Sequence, residues 1–192
     1  MNGVPYLSDT GIFLVRTLFG ILLFTVLLRF LLQWVRADFY NPLVQVLVKI
    51  TNPLLVPLRR LIPGFWGLDL AAIVLLLGLK LIELIFVFAS MGRGLGLPGI
   101  LVLAVAELLE LLVNVLFWAV IVRAVLSWVS PHQGHPVAEL LYRLTEPLLR
   151  PVRNLLPPLS GLDLSPLVVL IAFGVLQRLL IAPLADLGMG LG

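Results

Sequence analysis

The chain has 192 residues, 61% of them apolar and only 12% charged, and its mean hydropathy is +1.15. A soluble domain is about half apolar and about one quarter charged, so a water-soluble fold of this size is excluded and the bilayer has to be the solvent. The net charge of +3 does not indicate nucleic acid, because the basic residues lie between apolar stretches. Cysteine is absent, which excludes disulfides and thiolate chemistry within the chain.

Four stretches are long and apolar enough to cross a hydrocarbon core, which takes roughly 20 residues of helix. They cover about residues 11–35, 70–90, 108–129 and 164–184. The third begins somewhere between Gly99 and Glu110, so the sequence leaves open whether that segment is part of the span or lies in the interface. Gly92–Gly99, between the second and third spans, is glycine-rich and predicts a tight turn. We expect an all-α integral membrane protein with about four transmembrane helices, the first retained rather than cleaved as a signal peptide.

The two remaining connections, residues 36–69 and 130–163, are long and basic. They contain Arg36, Lys49, Arg59, Arg60, Arg143, Arg150 and Arg153, whereas the opposite side has only Arg93. The positive-inside rule therefore predicts that both long loops are cytoplasmic and both termini periplasmic.

An internal repeat becomes visible when the chain is shifted by 94 residues against itself. Residues 29–76 then align with residues 123–170 with 20 identities in 48 positions. The matches include non-aliphatic residues: Arg29, Trp34, Pro42, Thr51, Pro53, Pro57, Arg59, Pro63, Gly67 and Asp69 recur as Arg123, Trp128, Pro136, Thr145, Pro147, Pro151, Arg153, Pro157, Gly161 and Asp163. We predict two tandem helical hairpins, residues 1–94 and 95–192, in the same orientation and related by a pseudo-two-fold axis along the membrane normal.

The shared loop combines prolines, leucines and arginines in one pattern. Prolines spaced by four and six residues, beginning at Pro53 and Pro147, predict several short helical pieces rather than one long helix. The leucines favour a position in the membrane interface, apolar side down, with Arg59, Arg60, Arg150 and Arg153 at headgroup level. Asp69 and Asp163 stand just before the next span, where they are suited to N-cap the helix.

The segments T51-N-P-L-L-V-P-L-R-R-L-I-P-G and T145-E-P-L-L-R-P-V-R-N-L-L-P-P, followed by G67-L-D-L and G161-L-D-L-S-P, resemble the signature of the YggT family of bacterial membrane proteins. Two copies in one chain is the arrangement of its proteobacterial members. The resemblance implies an inner-membrane location and links to osmotic-stress tolerance or ion uptake, with relatives connected to cell division or to the assembly of a membrane complex. It brings no catalytic motif.

Arg29 and Arg123 lie at the same depth in the two units, and two interpretations are open. Each arginine snorkels to the headgroups, or Arg29 pairs with Asp69 and Arg123 with Asp163 across the hairpin. Both interpretations are architectural. Together with Pro53, Pro57, Arg59, Pro147, Pro151 and Arg153, these four residues are the candidate structural or interaction site.

A second candidate is an intramembrane polar network in the half of the spans remote from the loops. Its members are Arg16, Lys80, Glu83, Glu107, Glu110 and Arg178. Charges at a helix centre cost about 3 kcal/mol each on insertion scales, so they are expected to face inward and pair. Three positive and three negative groups suffice for complete neutralisation, although an ion or proton route is the alternative.

No catalytic, cofactor or metal site is predicted. His132 and His135 form an H-x-x-H pair aligned with Asp38 and Asn41, but solvated loop polarity is a commoner cause of such a pattern than a metal. The leading hypothesis is therefore a non-enzymatic scaffold or assembly protein whose partners are the bilayer with its anionic lipids and another membrane protein or a further copy. The alternative is a small ion transporter or channel component used in osmotic adaptation.

Overall fold

The computed structural model describes residues 4–65, 67–92, 94, 96–129, 135–155 and 163–191, with side chains from residue 9 onward except at 128 and 129. These residues form seven α-helices: α1 (Val4–Trp34), α2 (Pro42–Leu61), α3 (Leu70–Ser90), α4 (Leu97–Val129), α5 (Pro136–Leu155), α6 (Ser165–Leu176) and α7 (Ala182–Gly190). A π-helical turn, Gln177–Ile181, joins α6 to α7. The predicted all-α fold class is confirmed.

Four helical stretches are long and apolar enough to span a membrane, namely Asp9–Trp34, Leu70–Ser90, Leu97–Ser127 and Ser165–Gly190. The third span begins at Leu97, so Gly99–Glu110 is part of helix α4 and does not form a separate interfacial segment. At 1.5 Å per residue the 33 residues of α4 are about 50 Å long, which exceeds a hydrocarbon thickness of about 30 Å. Helix α4 therefore tilts or extends beyond the apolar layer.

The two long loops each contain one continuous helix, α2 or α5, and we call these two helices the collar. The prediction of several short pieces is wrong, because α2 passes through Pro53 and Pro57 and α5 through Pro147 and Pro151. All four prolines lie on exposed positions. The carbonyl groups that lose a backbone donor therefore face the outside, where water or headgroups supply one, and the buried side of each helix stays regular.

The sides of α2 have three different surroundings. One side packs on the bundle through Val44, Thr51 and Leu55. A second is apolar and exposed, with Leu43, Val46, Ile50 and Leu54. A third is polar and includes Gln45, Lys49, Asn52 and Arg60. A helix lying in a membrane interface beside a bundle meets protein, lipid and water in this way.

Within each repeat the two spans pack as a hairpin. Helix α3 lies along α1, whereas α4 is covered by α6, the π-helical turn and above all α7. Gly188 permits the close approach of α7, because a Cβ atom there would lie 2.8 Å from the backbone nitrogen of Leu103. The π-helical turn comes just before Pro183, where the widened turn makes room for the proline ring.

The contacts between the two repeats are not reciprocal. Helix α4 contacts α1 and α3, and α5 contacts α1 and α2. A two-fold axis would require the reciprocal contacts of α2 with α4 and of α6 with α1, and the described residues contain neither. The expected pseudo-two-fold arrangement is therefore wrong. The main apolar core reflects the one-sided packing, since it joins Leu23, Val26, Leu27 and Leu31 of α1 to Leu76 of α3, Val115 and Ala119 of α4 and Leu144 of α5.

Candidate functional site

The first feature common to both repeats is an arginine–threonine joint between a span and its collar helix. In the first repeat, Arg29 of α1 donates to the hydroxyl of Thr51 and, at 3.3 Å, to the carbonyl of Val48. Thr51 is completely buried and donates in turn to the carbonyl of Leu47 at 2.7 Å. The guanidinium group thus fixes the middle of α2 against α1.

The second repeat forms the same joint with additional partners. Arg123 donates to Thr145 at 2.8 Å, and Thr145 donates to the carbonyl of Leu141 at 2.7 Å. Arg123 also makes an ion pair of 2.8 Å with Glu146 and lies 4.4 Å from the ring centre of Tyr142. In the first repeat the position of Glu146 is held by Asn52, so Arg29 lacks the adjacent carboxylate that Arg123 has.

The second common feature is an arginine–aspartate joint between the end of the collar helix and the start of the next span. Arg59 forms an ion pair with Asp69 and donates to Gln33 of α1 at 2.9 Å. Arg153 pairs with Asp163 at 3.0 Å and with Glu146 at 3.1 Å. Of the two interpretations left open by the sequence, the pairing of Asp69 with Arg29 and of Asp163 with Arg123 is therefore wrong. The partner of each aspartate lies ten residues before it, at the near end of the collar helix.

Each aspartate also supports the helix that follows it. The carboxylate of Asp69 accepts from the backbone N–H of Ala72 at 3.3 Å and N-caps α3. In the second repeat α6 begins one residue later, after Leu164, but Asp163 still accepts from the N–H of Ser165 at 2.9 Å. Gly67 precedes Asp69 with φ of +80°, a backbone conformation that favours glycine. This accounts for the G-L-D sequence in the first copy.

The charge of Asp163 is stabilised by its surroundings. Partial burial alone would raise the pKa of Asp163, but hydrogen bonds from Ser165 and Arg153 and the charge of Arg153 hold it below its ordinary value. Partial burial alone would likewise lower the pKa of Arg153, but Asp163 and Glu146 raise it. Because the folded-state pKa of Asp163 is depressed, this joint contributes stability above the ordinary carboxyl pKa and loses it as the pH falls through the depressed value.

These joints divide four arginines of the collar into two groups. Arg59 and Arg153 hold carboxylates and are only partly exposed. Arg60 and Arg150 are exposed, and the described residues give neither an ion-pair partner. Arg60 and Arg150, together with the exposed Lys49, are therefore free to meet headgroups or a partner protein.

The intramembrane charges are arranged differently from the prediction. Lys80 is the eleventh of the 21 residues of α3, so it lies at the middle of the span. Its ammonium group pairs with Glu83 at 2.9 Å and with Glu107 of α4 at 2.6 Å, and it is 91% buried. One lysine therefore lies between a carboxylate of α3 and a carboxylate of α4, and the formal charge of the trio is −1. Burying such a trio is costly, but removing Lys80 would cost more, because it would leave two carboxylates without their cation. Removing one glutamate would leave a neutral ion pair.

The complete neutralisation expected for six charges is not found. Arg16, Glu110 and Arg178 are exposed, and among the described residues none of the three makes an ion pair. Glu110 instead lines an open cavity of about 220 Å³ together with Gly20, Lys80, Glu107 and Asn114. Next to this cavity, Gln177 in the π-helical turn donates to Asn114 at 2.8 Å. The centre of the bundle thus contains a polar group of residues between α1, α3 and α4.

Sequence reasoning missed several partners that the fold supplies. Asn41 donates to the carbonyl of Pro136 at 3.0 Å, and Arg143 to that of Arg36 at 3.2 Å, so α5 is tied to the start of α2 and to the loop that precedes it. The recurrence of Thr51 as Thr145 was a signal for the buried hydroxyl; Gln33 and Gln177 gave none. His135 accepts from the N–H of Val137, and His132 lies outside the described residues. Within the described residues no group of three or more acidic or histidine side chains is placed to hold a metal ion.

These features define a multi-pass, all-α membrane protein built from two helical hairpins, each with a collar helix fastened by two arginine joints. The chain belongs to the CCB3/YggT family, whose model matches residues 8–90 and again residues 102–184. The two matches are themselves 94 residues apart at both ends. The family expected from the resemblance is therefore confirmed.

Relatives from several bacteria are similar to this chain over most of its length. The uncharacterized protein PA0392 of Pseudomonas aeruginosa is 45% identical over 93% of this chain and 92% of its own. An uncharacterized protein of Vibrio alginolyticus, encoded in the proC 3' region, is 42% identical over 83% of this chain and 86% of its own. The uncharacterized protein YggT of Escherichia coli K12 is 36% identical over 88% of each chain. No solved structure matches the chain.

The difference between the two arginine–threonine joints gives a prediction for stability. Replacing Thr51 by valine keeps the shape of the side chain but removes the main partner of buried Arg29, so we expect a loss of about 1–3 kcal/mol. Thr145→Val is expected to cost less, because Arg123 keeps Glu146 and Tyr142. The measurement is the free energy of unfolding of the purified protein in detergent micelles.

The matched control is Thr25→Val, because Thr25 is also buried but its hydroxyl bonds only to the carbonyl of Ile21 in its own helix. It is expected to change stability by less than about 1 kcal/mol. Equal losses in all three variants would show that the joints do not carry the stability assigned to them.

Proposed function

We propose that the protein is a non-enzymatic scaffold or assembly protein of the bacterial inner membrane, with the collar as its working surface on the cytoplasmic side. The observation that carries the proposal is the double fastening of each collar helix. Arg29 and Arg123 fix its middle, and Arg59 and Arg153 fix its end. A rigidly held amphipathic helix with free arginines is suited to dock a partner or anionic lipids, whereas a catalytic site needs an assembled acid–base or nucleophile group.

A role in membrane or osmotic-stress homeostasis, or in the assembly of a division or other membrane complex, is compatible with such a surface. The residues that recur between the repeats support this proposal, because they are used in the joints rather than around the cavity. The positions equivalent to Lys80 and Glu83 are Gly174 and Gln177. The duplication has therefore kept the collar and not the intramembrane charges.

The cytoplasmic orientation can be tested by thiol labelling, because the chain contains no natural cysteine. Cysteine at Met91, exposed after α3, is expected to react with an impermeant reagent in intact cells. Cysteine at Gln45, exposed on the polar side of α2, is expected to react only after the cells are permeabilised. Labelling at Gln45 but not Met91 in intact cells would reverse the proposed orientation.

The collar surface can be tested by changing its free charges. Each basic side chain near an anionic surface contributes about 1 kcal/mol, so Arg60→Glu with Arg150→Glu is expected to weaken the association with anionic lipid or a partner. The neutral pair Arg60→Gln with Arg150→Gln is expected to have about half the effect. The measurement is the lipid retained after purification and the proteins captured by in-cell crosslinking from collar positions.

A graded loss that follows the charge, with unchanged thermal stability, would support the collar as the working surface. If both variants retain the lipid and every captured protein, the collar is not that surface.

A second function, an ion or proton pathway, is favoured by one observation. The cavity of about 220 Å³ lies at the middle of the spans and is lined by Lys80, Glu107, Glu110 and Asn114. Three acidic residues including Glu83 surround one lysine there, so the region carries excess negative charge that a cation or proton is able to compensate.

Reconstituted vesicles separate the two functions. If the cavity conducts, Glu107→Gln with Glu110→Gln is expected to abolish potassium, sodium or proton flux while the protein still inserts. If the trio is only structural, the wild type carries no flux above an empty control, and Lys80→Leu lowers stability by about 3–5 kcal/mol because it leaves buried carboxylates unpaired. The matched variant Arg16→Leu removes an exposed charge outside the cavity and is expected to leave both flux and stability nearly unchanged.

A further inference from the structure

The second repeat docks on the first through a face that the first repeat also possesses. Leu108, Leu112, Val115, Leu140 and Leu144 of α4 and α5 pack into the contact with the first repeat. Their equivalents 94 residues earlier are Leu14, Leu18, Ile21, Val46 and Ile50 of α1 and α2. All five are exposed, and Val46 and Ile50 are each 53% exposed against 7% and 4% for Leu140 and Leu144. We call these five residues the uncovered face.

The opposite side of the interface is also present twice. Leu28, Leu31 and Leu32 of α1 receive the second repeat, and they lie in the same apolar clusters as Leu140 and Leu144. Their equivalents on α4 are Val122, Val125 and Leu126. Val122 and Val125 are exposed, and Leu126 is partly exposed. The chain therefore has a free copy of the covering face and of the α1 part of the receiving side. On α6, Val169 and Phe173 are already buried within the second repeat.

Two opposite charges, Asp9 and Arg178, occupy positions that would face each other if a second copy repeated this interface. Inside the chain, Leu84 of α3 and Leu103 of α4 share one buried cluster between the repeats. The residue equivalent to Leu84 is Arg178, and the residue equivalent to Leu103 is Asp9. Both are exposed, and neither makes an ion pair within the described part of the chain. The apolar contact of Leu84 with Leu103 inside the chain is thus replaced by a positive and a negative residue at the equivalent exposed positions.

We propose that a second copy of the chain binds head to tail, with the Val122, Val125 and Leu126 side of one copy against the uncovered face of the next. Arg178 of the first copy pairs with Asp9 of the second. A contact of this kind is heterologous, so it generates a ring or a chain of copies. The inference goes beyond the proposed function, because self-association holds whatever else the collar binds.

Lipid alone does not account for these observations. Apolar side chains on a span are stable against lipid, so the uncovered face by itself would not require a protein partner. Arg178, however, is equivalent to Leu84, the fifteenth of the 21 residues of α3, so it lies within its span in the half remote from the collar, and it is exposed. A charge at this depth needs a partner or water, and the repeat places an acidic residue at the matching position of the next copy.

Cysteine crosslinking in native membranes tests the contact. Leu32 and Leu140 belong to one cluster inside the chain, so Leu32→Cys with Leu140→Cys is expected to form an intramolecular bridge that reports correct folding. The equivalent pair, Val46→Cys with Leu126→Cys, is expected to link different copies upon oxidation. Val46→Cys with Leu167→Cys is the matched control, because Leu167 is equally close to the collar end of its span and more exposed.

Charge exchange then tests the ion pair in the Val46→Cys, Leu126→Cys background. Asp9→Arg alone and Arg178→Asp alone each place like charges opposite each other, so the crosslinked fraction is expected to fall about tenfold. Asp9→Arg with Arg178→Asp restores opposite charges and is expected to return the fraction to within about twofold of the starting value.

Recovery in the double exchange supports the proposal, since a merely structural role of either residue would not be rescued by reversing the other. Only monomers in the Val46–Leu126 pair, or equal crosslinking in the Leu167 control, would overturn it. The outcome does not depend on the lipid and capture tests of the collar, because Arg60 and Arg150 are not part of the uncovered face.

Discussion

A buried guanidinium group that reaches a buried threonine hydroxyl is the interaction on which the rest of this structure depends. Arg29 and Thr51, and likewise Arg123 and Thr145, are separated by 22 residues and join a span to the middle of its collar helix. An arginine buried inside a membrane protein needs acceptors for its N–H groups. Since α2 and α5 supply the acceptors, the collar is held against the bundle rather than free to move along the membrane surface.

The arginine–threonine joint also positions the arginine–aspartate joint. With the middle of the collar helix in place, Arg59 and Arg153 in its last turn come within reach of Asp69 and Asp163 at the start of the next span. These carboxylates also bind backbone N–H groups of the following helix. Each hairpin therefore has two points of attachment, and the prolines between them lie on the exposed side, where the missing backbone donors cost least. These two attachments hold each collar helix against its own hairpin.

The duplication has produced two similar hairpins in unequal positions. The second repeat packs on the first through one of its faces. The equivalent face of the first repeat remains exposed. The central ion trio follows the same asymmetry, because Lys80 of the first repeat meets Glu107 of the second across the junction. The cavity also lies at this junction. Arg178 and the uncovered face lie instead on the outer, exposed sides of the two repeats.

The sequence by itself determined the solvent, the number of spans, the repeat and the family, because each of these depends on local hydropathy or on residue identity at a fixed spacing. It also indicated that Arg29, Thr51, Arg59 and Asp69 serve a structural demand, since all four recur. Tertiary structure alone decided which of them pair: Asp69 binds Arg59 rather than Arg29, because the collar helix is continuous and carries Arg59 to the start of α3. It also decided that the repeats meet without a two-fold axis. That choice depends on how apolar faces of similar composition fit together, and neither composition nor spacing encodes this fit.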